Sequence, residues 1–205
     1  MKRILDIIAS ASGIVLLSPL LILAAIAVRF TSPGPVLFKQ RRIGKDFRPF
    51  EIYKFRTMVR DAPSKGAQIT MGEDPRITRV GRVLRKTKID EFPQLFNVLK
   101  GDMSLVGPRP EVPLYVEMFR ADYAEVLRVR PGVTDLASLK YRDEAAVLGR
   151  AADPEKEYVE RLLPEKIRLA KEYVNRSSLG FDILIILKTV FILFRDRFTS
   201  DPSKS

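Results

Sequence analysis

Neither cysteine nor histidine occurs anywhere in the 205-residue chain. Without cysteine there is no disulfide framework, no thiolate nucleophile and no cysteine-based zinc or iron-sulfur site, which agrees with a cytoplasmic address. Without histidine the commonest general base and the commonest transition-metal ligand are missing, so Ser-His-Asp and Cys-His catalysis are excluded. Covalent chemistry is left to a carboxylate, a lysine, a tyrosine or a lysine-activated hydroxyl. The carboxylate needs the least help, because with a reference pKa of about 4 it is already ionised at neutral pH. G-x-G-x-x-G and G-x-x-x-x-G-K-[ST] are also absent, so dinucleotide-binding and P-loop readings lack their signatures.

What is present is positive charge and one long apolar run. Lys and Arg number 36 against 25 Asp and Glu, a formal charge of +11. That favours an anionic partner: nucleic acid, anionic lipid or a phosphorylated substrate. The length suits one domain with attachments. From Ile7 to Val28 no residue is charged, long enough to cross a bilayer core of about 30 Å. A spanning helix, a signal peptide ending near Ala25-Ile26-Ala27 and a re-entrant helix that leaves by the face it entered all fit that length. Ser18-Pro19 favours the re-entrant form, because a mid-helix proline removes a backbone donor and clashes with the preceding turn. Lys2 and Arg3 before the run and Arg29, Lys39, Arg41 and Arg42 after it leave the positive-inside rule little asymmetry to act on.

Beyond Thr31 to Pro35, a turn, residues 36–42 and 49–58 read as two strands around Gly44-Lys45-Asp46. Alternation sets Lys54 and Arg56 on one strand face, a pairing suited to phosphate, with Phe55 on the other. Residues 60–75 read as a loop or lid. Arg76, Arg79, Arg82 and Arg85 then recur at every third residue, crowding one side of a helix where they need an anion. Asp90-Glu91-Phe92-Pro93 reads as a helix start, with Asp90 as N-cap and proline in the first turn. Phe92, Leu95, Phe96 and Leu99 form its apolar stripe, facing inward or lying on a membrane. Gly107-Pro108-Arg109-Pro110 holds one arginine in a stiff turn. An amphipathic helix over 112–128, an irregular stretch over 134–142, a charged solvated helix from Asp153 interrupted or restarted at Pro164, and an apolar core or interfacial helix over 183–194 complete the reading. Residues 199–205 form a polar tail.

The chemistry narrows to a carboxylate pair, many arginines and a membrane segment. Neighbouring carboxylates can divide labour, one attacking while the other holds Mg²⁺ beside substrate phosphates. An enzyme acting on a phosphorylated substrate at a membrane and a membrane-anchored protein holding anionic lipid or nucleic acid both survive. Nucleic acid is the weaker partner, since no stacking aromatics punctuate the basic run.

K-F-R-T-M at Lys54 to Met58, K-I-D-E-F-P-Q-L-F-N-V-L-K-G-D-M-S-L-V-G-P-R-P at Lys88 to Pro110 and R-P-G-V-T at Arg130 to Thr134, behind an apolar segment with a central Ser-Pro, resemble the bacterial sugar transferases known as monotopic phosphoglycosyl transferases. The resemblance runs from Lys2 to about Arg195 and is to the small members that consist of the catalytic core. It implies transfer of a sugar-1-phosphate from a UDP-sugar to polyprenyl (undecaprenyl) phosphate, releasing UMP, at the cytoplasmic face of the bacterial inner membrane, as the first membrane step of glycan assembly. By matching positions, Asp90 is expected to be the nucleophile of a covalent phosphosugar intermediate and Glu91 to bind Mg²⁺. Lys54, Arg56, Arg85, Arg109 and Arg142 are expected at phosphates or nucleotide, and Ser18 and Pro19 at the helix break. Direct displacement, with Asp90 or Glu91 serving only the metal, is the alternative. Where members of the family continue with Gly, a Gln and a Gly-Arg pair, this chain has Asp135 to Arg142, which leaves Arg142 and the sugar specificity open. The expected fold is α+β and mainly helical: a re-entrant membrane helix over 1–30, an interfacial catalytic domain over 31–198 with a small β-hairpin and amphipathic helices, and the tail. Membrane lipids are expected partners, nucleic acid is not, and a homodimer is left open.

Overall fold

The computed structural model describes residues 1–62, 74–141 and 144–199. It opens with α1 (Lys2–Thr31), followed by β1 (Leu37–Ile43) and β2 (Pro49–Phe55), paired antiparallel with Leu37 opposite Phe55 and Ile43 opposite Pro49. Next come α2 (Arg79–Lys86), a 3₁₀ turn (Ile89–Glu91), α3 (Gln94–Lys100) and β3 (Ser104–Val106). The chain continues as α4 (Pro113–Met118), α5 (Arg120–Val126), β4 (Gly132–Thr134), α6 (Leu136–Lys140), α7 (Glu144–Gly149), α8 (Pro154–Glu157), a π-helical turn (Tyr158–Leu162), α9 (Leu163–Arg176) and α10 (Leu179–Thr199). The mainly helical architecture with one hairpin is as the sequence predicts. A second sheet, β3 parallel to β4, is not signalled by its three-residue strands.

Both ends of α1 are fastened to the same body. Near its start, Lys2 Nζ donates to Asp182 Oδ2 at 2.6 Å, Tyr173 Oη at 2.8 Å and the Val106 carbonyl at 2.9 Å. Arg3 donates to the carbonyls of Val98 and Leu99 at the negative end of α3. Buried Asp6 accepts from Ser104 Oγ and Leu105 N. At the other end Ala24 and Val28 pack with Phe55, Leu84 and Ile89. Along its outer side Ile8, Val15, Leu16, Ile22 and Leu23 are exposed. By length and composition α1 could cross a membrane.

The backbone stays helical through Ser18 and Pro19, where the sequence predicts a break. Proline has no N–H for the carbonyl four residues back, that of Val15. Ser18 Oγ donates to that carbonyl at 2.8 Å, so the orphaned acceptor is satisfied without water, the condition an apolar environment imposes.

Other expectations need correction. The helix over 112–128 is two, because Phe119 leaves helical geometry (φ −117°, ψ 37°). Of the two outcomes expected at Pro164, interruption or restart, the structure has the restart: the π-helical turn ends at Leu162 and α9 begins at Leu163 with Pro164 in its first turn. That segment is not a solvated outer helix: Tyr158, Leu162, Leu163 and Ile167 are buried against Tyr115, Val116, Tyr123 and Val126 in the main core cluster, and Lys166 is buried with them, donating to Tyr158 Oη and Glu144, while Arg161 and Arg168 pair with Glu157 and Glu165 at the surface. The 134–142 stretch holds β4 and α6, the latter capped by Asp135, whose Oδ1 accepts from Ser138 N at 2.6 Å. Of the predicted loop or lid, residues 63–73 lie outside the described residues, as does Arg142.

Candidate active site

The turn that carries Arg109 is built by two glycines. A Cβ on Gly132 would lie 2.1 Å from Gly107 N, and one on Gly107 would lie 2.4 Å from the Arg130 carbonyl. Only bare backbone allows that approach. It lets Gly107 N donate to the Thr134 carbonyl at 3.1 Å and Gly132 N to the Pro108 carbonyl at 2.9 Å. The G-P-R-P and R-P-G-V-T segments, separate in sequence, are therefore one unit. Asp135 then fixes Arg109 from behind, its Oδ2 accepting from Arg109 N at 3.0 Å. Arg42 ties down the next residues, donating to the Pro110 carbonyl and to Glu111 Oε1 at 2.9 Å. Tyr158 Oη donates to Glu111 Oε2 at 2.7 Å.

Lys54 comes from β2. The strand's free edge is held by buried Asn97 on α3, whose Oδ1 accepts from Tyr53 N at 3.0 Å while Nδ2 donates to the Glu51 carbonyl at 2.7 Å. A side-chain amide here does the work of a third strand. With Phe55 buried under α1, Lys54 is aimed at the carboxylates.

Asp90 and Glu91 meet these cations on the 3₁₀ turn. The sequence places Asp90 as the N-cap of a helix, and the structure does not: Lys88 adopts a left-handed conformation (φ 59°), the tight turn follows, and α3 begins at Gln94 behind Pro93. Asp90 therefore caps nothing. Its Oδ1 is buried and accepts no hydrogen bond, although only 8% of the residue is exposed.

The two carboxylates sit in opposite environments. Glu91 Oε1 accepts from Arg109 Nη2 at 2.6 Å and from Lys54 Nζ at 2.8 Å. Burial alone would raise the Glu91 carboxyl, but the charges and hydrogen bonds of Arg109 and Lys54 outweigh it and hold it well below its usual range. Asp90 is pushed up to about 6 by burial first and the neighbouring Glu91 charge second, against the pull of Lys54, Lys88 and Arg85. Lys54 is lowered by burial against the Glu91 charge, whereas Arg109 is raised, the Glu91 charge outweighing burial. Divergent environments on neighbouring titratable groups are how one site assigns two roles to one residue type.

For a divalent cation, the hard oxygens on offer are Asp90 Oδ1 and the second oxygen of Glu91; no group of three metal-ligating side chains exists among the described residues. Such a donor set fits Mg²⁺, which commonly takes one or two carboxylates and completes its shell with water and substrate phosphates.

Asp90, Glu91, Lys54 and Arg109 are thus brought together, with Arg85 near enough for its charge to act on Asp90. The wider arginine stripe is not: Arg76 precedes α2 and pairs with Asp74 at 2.6 Å, while Arg82 is exposed. Arg56 is not on the carboxylate side either. It lies beyond the end of β2, 7% exposed, and its Nη2 donates to the carbonyls of Ser32 (2.6 Å) and Val28 (3.4 Å) at the end of α1. Ser18 and Pro19 lie in α1, remote in sequence from every group of the centre. Asp135, Glu111 and Asn97 were missed. Only Asp135 had a sequence signal, an aspartate before a helix, and the divergent stretch concealed it. A groove of about 620 Å³ is lined by Lys140, Tyr141, Arg161 and Arg168 among others, and neither Asp90 nor Glu91 lines it.

Fold and site together bring two carboxylates side by side, one bonded to two cations and the other with a buried, unpartnered oxygen, on a body packed against a long apolar helix. Residues 1–196 match the model of the bacterial sugar transferase family, and the chain belongs to that family. It is 44% identical over 192 residues to an Aeromonas hydrophila UDP-N-acetylgalactosamine-undecaprenyl-phosphate N-acetylgalactosaminephosphotransferase, an alignment covering 92% of this chain and 42% of that protein. It is equally 44% identical over 193 residues to a Caulobacter vibrioides UDP-glucose:undecaprenyl-phosphate glucose-1-phosphate transferase, covering 92% and 68%. An exopolysaccharide production protein of Rhizobium leguminosarum is 39% identical, with 93% of each chain covered. The chain thus spans well under half of the first relative and nearly all of the last.

Proposed function

We propose that the protein transfers a sugar-1-phosphate from a UDP-sugar to undecaprenyl phosphate in two steps. The observation that carries this reading is the unequal carboxylate pair. Glu91, neutralised by Lys54 and Arg109, is a poor nucleophile and a good anchor. Asp90, with an unpartnered oxygen and a raised pKa, is ionised at neutral pH yet more basic than an ordinary aspartate.

In the first step an Asp90 oxygen attacks the phosphorus that bears the sugar, the bond from that phosphorus to the bridging oxygen breaks, and UMP leaves with the electron pair. In the second, a phosphate oxygen of the lipid attacks the same phosphorus, Asp90 is released as a carboxylate, and the product is a polyprenyl diphosphate sugar. Arg109 and Arg85 steady the diphosphate charge, and Lys54 keeps Glu91 oriented. Glu91, with Asp90, would hold Mg²⁺, which when bound neutralises phosphate charge.

For location we propose that α1 is held in the cytoplasmic face of the inner membrane with both of its ends on that side, unbroken though it is at Pro19; that one body anchors Lys2 at one end and Val28 at the other supports the shared side. Relatives named for N-acetylgalactosamine and for glucose match equally well, so overall identity does not select the sugar. A panel of UDP-sugars with undecaprenyl phosphate, scored by UMP release, tests the assignment: one or a few sugars should turn over. Release from none of them would refute it.

A further inference from the structure

At the far end of α1 lies a second cationic corner that the transfer chemistry leaves unused. Arg56 is 7% exposed and spends only Nη2, on the carbonyls of Val28 and Ser32. Its Nε and Nη1 are buried and donate to nothing, and the Ser32 hydroxyl beside them is likewise buried without a partner. Among the described residues no carboxylate acts on it; burial first, then the charges of Arg29 and Arg60, pull its pKa down. A buried charge is normally paired, since desolvation disfavours leaving it alone. The C-terminal carbonyls of α1 supply only a partial negative charge, roughly half an elementary unit.

The covering of this guanidinium is thin. Gly34, in the positive-φ region (120°), lies directly over it: a Cβ there would be 2.5 Å from Arg56 Nη1 and 3.6 Å from Arg60 Cδ. Arg29 and Arg60 are exposed on either side. Phe30, which follows Arg29, is 84% exposed, and Phe38 on β1 is 39% exposed. An exposed phenylalanine beside a cation, at the end of a helix with an apolar outer side, suits the boundary between lipid headgroups and acyl chains.

We propose that Arg29, Arg60 and the Ser32–Gly34 turn, over the buried Arg56 charge, form a binding site for the phosphate of a membrane lipid, separate from the Asp90–Glu91 centre. The exposed guanidinium groups and the turn contact the oxyanion, and Arg56 supplies the uncompensated charge beneath. The site rests on the membrane placement proposed above, but not on the transfer reaction. Two lipids carry the required chemistry: an anionic phospholipid and a polyprenyl phosphate.

The test uses the full chain in neutral detergent and follows its thermal unfolding midpoint against phosphatidylglycerol, phosphatidylcholine, undecaprenyl phosphate and inorganic phosphate, each added alone. Wild type should be stabilised by at least one of the two anionic lipids and not by inorganic phosphate at equal concentration. In Arg29→Gln/Arg60→Gln, both changes at exposed positions, the apparent affinity should fall on the order of tenfold or more. Ser32→Ala should weaken it less. Which anionic lipid acts identifies the source. Equal response of wild type and double variant, stabilisation by phosphatidylcholine to the same degree, or no response to either anionic lipid overturns the site. UMP release measured on the same wild-type preparation reports separately on the transferase reading, so failure of one is not mistaken for failure of the other.

Discussion

Replacing Asp90 by Asn should abolish transfer and at the same time stabilise the fold at neutral pH. The carboxyl is moved from 3.8 to about 6 by burial and by Glu91, so the folded state binds a proton more readily than the unfolded chain. Between about pH 4 and pH 6 the folded state therefore holds more protons, and wild-type stability falls as pH rises through that window, with the full cost present above it. The size of the cost is ~3 kcal/mol, an upper figure at 1.36 kcal/mol per pKa unit. Asn removes the charge but keeps the shape. It should be worth about 1–3 kcal/mol at pH 8, a rise in unfolding midpoint of about 2–12 °C for a chain of this size. The assay is thermal unfolding of wild type and D90N in one detergent across pH 4 to 8. The gap should be near zero at pH 4, open through about pH 6 and then stay constant. A gap that does not open, or a wild type more stable than D90N at pH 8, refutes the reasoning about this carboxylate.

The same titration should appear in catalysis: kcat/KM for the UDP-sugar should fall on the acid side with an apparent pKa of about 6, and in Lys54→Met that limb should move to higher pH, since Lys54 is one of the charges favouring ionised Asp90. A limb that stays in place would separate Lys54 from Asp90. Gly132→Ala should be among the most damaging small substitutions, costing about 2–3 kcal/mol or more, because its Cβ meets the Gly107 backbone rather than a flexible side chain; thermal unfolding and the KM for the UDP-sugar should both worsen. Because the chain has no cysteine, a cysteine at Lys45 and another placed ahead of Met1 can be labelled individually in intact cells with a membrane-impermeant reagent. Both should be protected alike, whereas opposite accessibility means a spanning α1.

How much of this was legible in the sequence depended on whether the determining contacts were local. The hairpin, the apolar helix and the Arg109 turn were readable because alternation, hydrophobicity and proline act within a few residues. Asp90 misled as a helix cap because the left-handed Lys88 that forces the 3₁₀ turn carries no residue-type signal; glycine or asparagine would have advertised it. Arg56 misled because strand alternation was extended past the end of β2, and only the fold reveals that the C-terminal carbonyls of α1 lie there. The covering of Tyr158 and Leu162 was hidden by their charged neighbours, which occupy the opposite face. Asn97, a polar residue inside a core, is explained only by the strand edge it completes, and that edge is more than 40 residues away in sequence.

In the proposed reaction Asp90, and not Glu91 or a direct attack by the lipid, takes up the phosphosugar. Mass spectrometry of the intact protein after incubation with its UDP-sugar and Mg²⁺, without lipid acceptor, separates these routes. UMP release should be stoichiometric with enzyme, with a mass increase of one sugar phosphate mapping to the peptide containing Asp90, absent in D90N and discharged on adding undecaprenyl phosphate. Rapid transfer to lipid with no adduct and no release of UMP in the lipid's absence would contradict the covalent route.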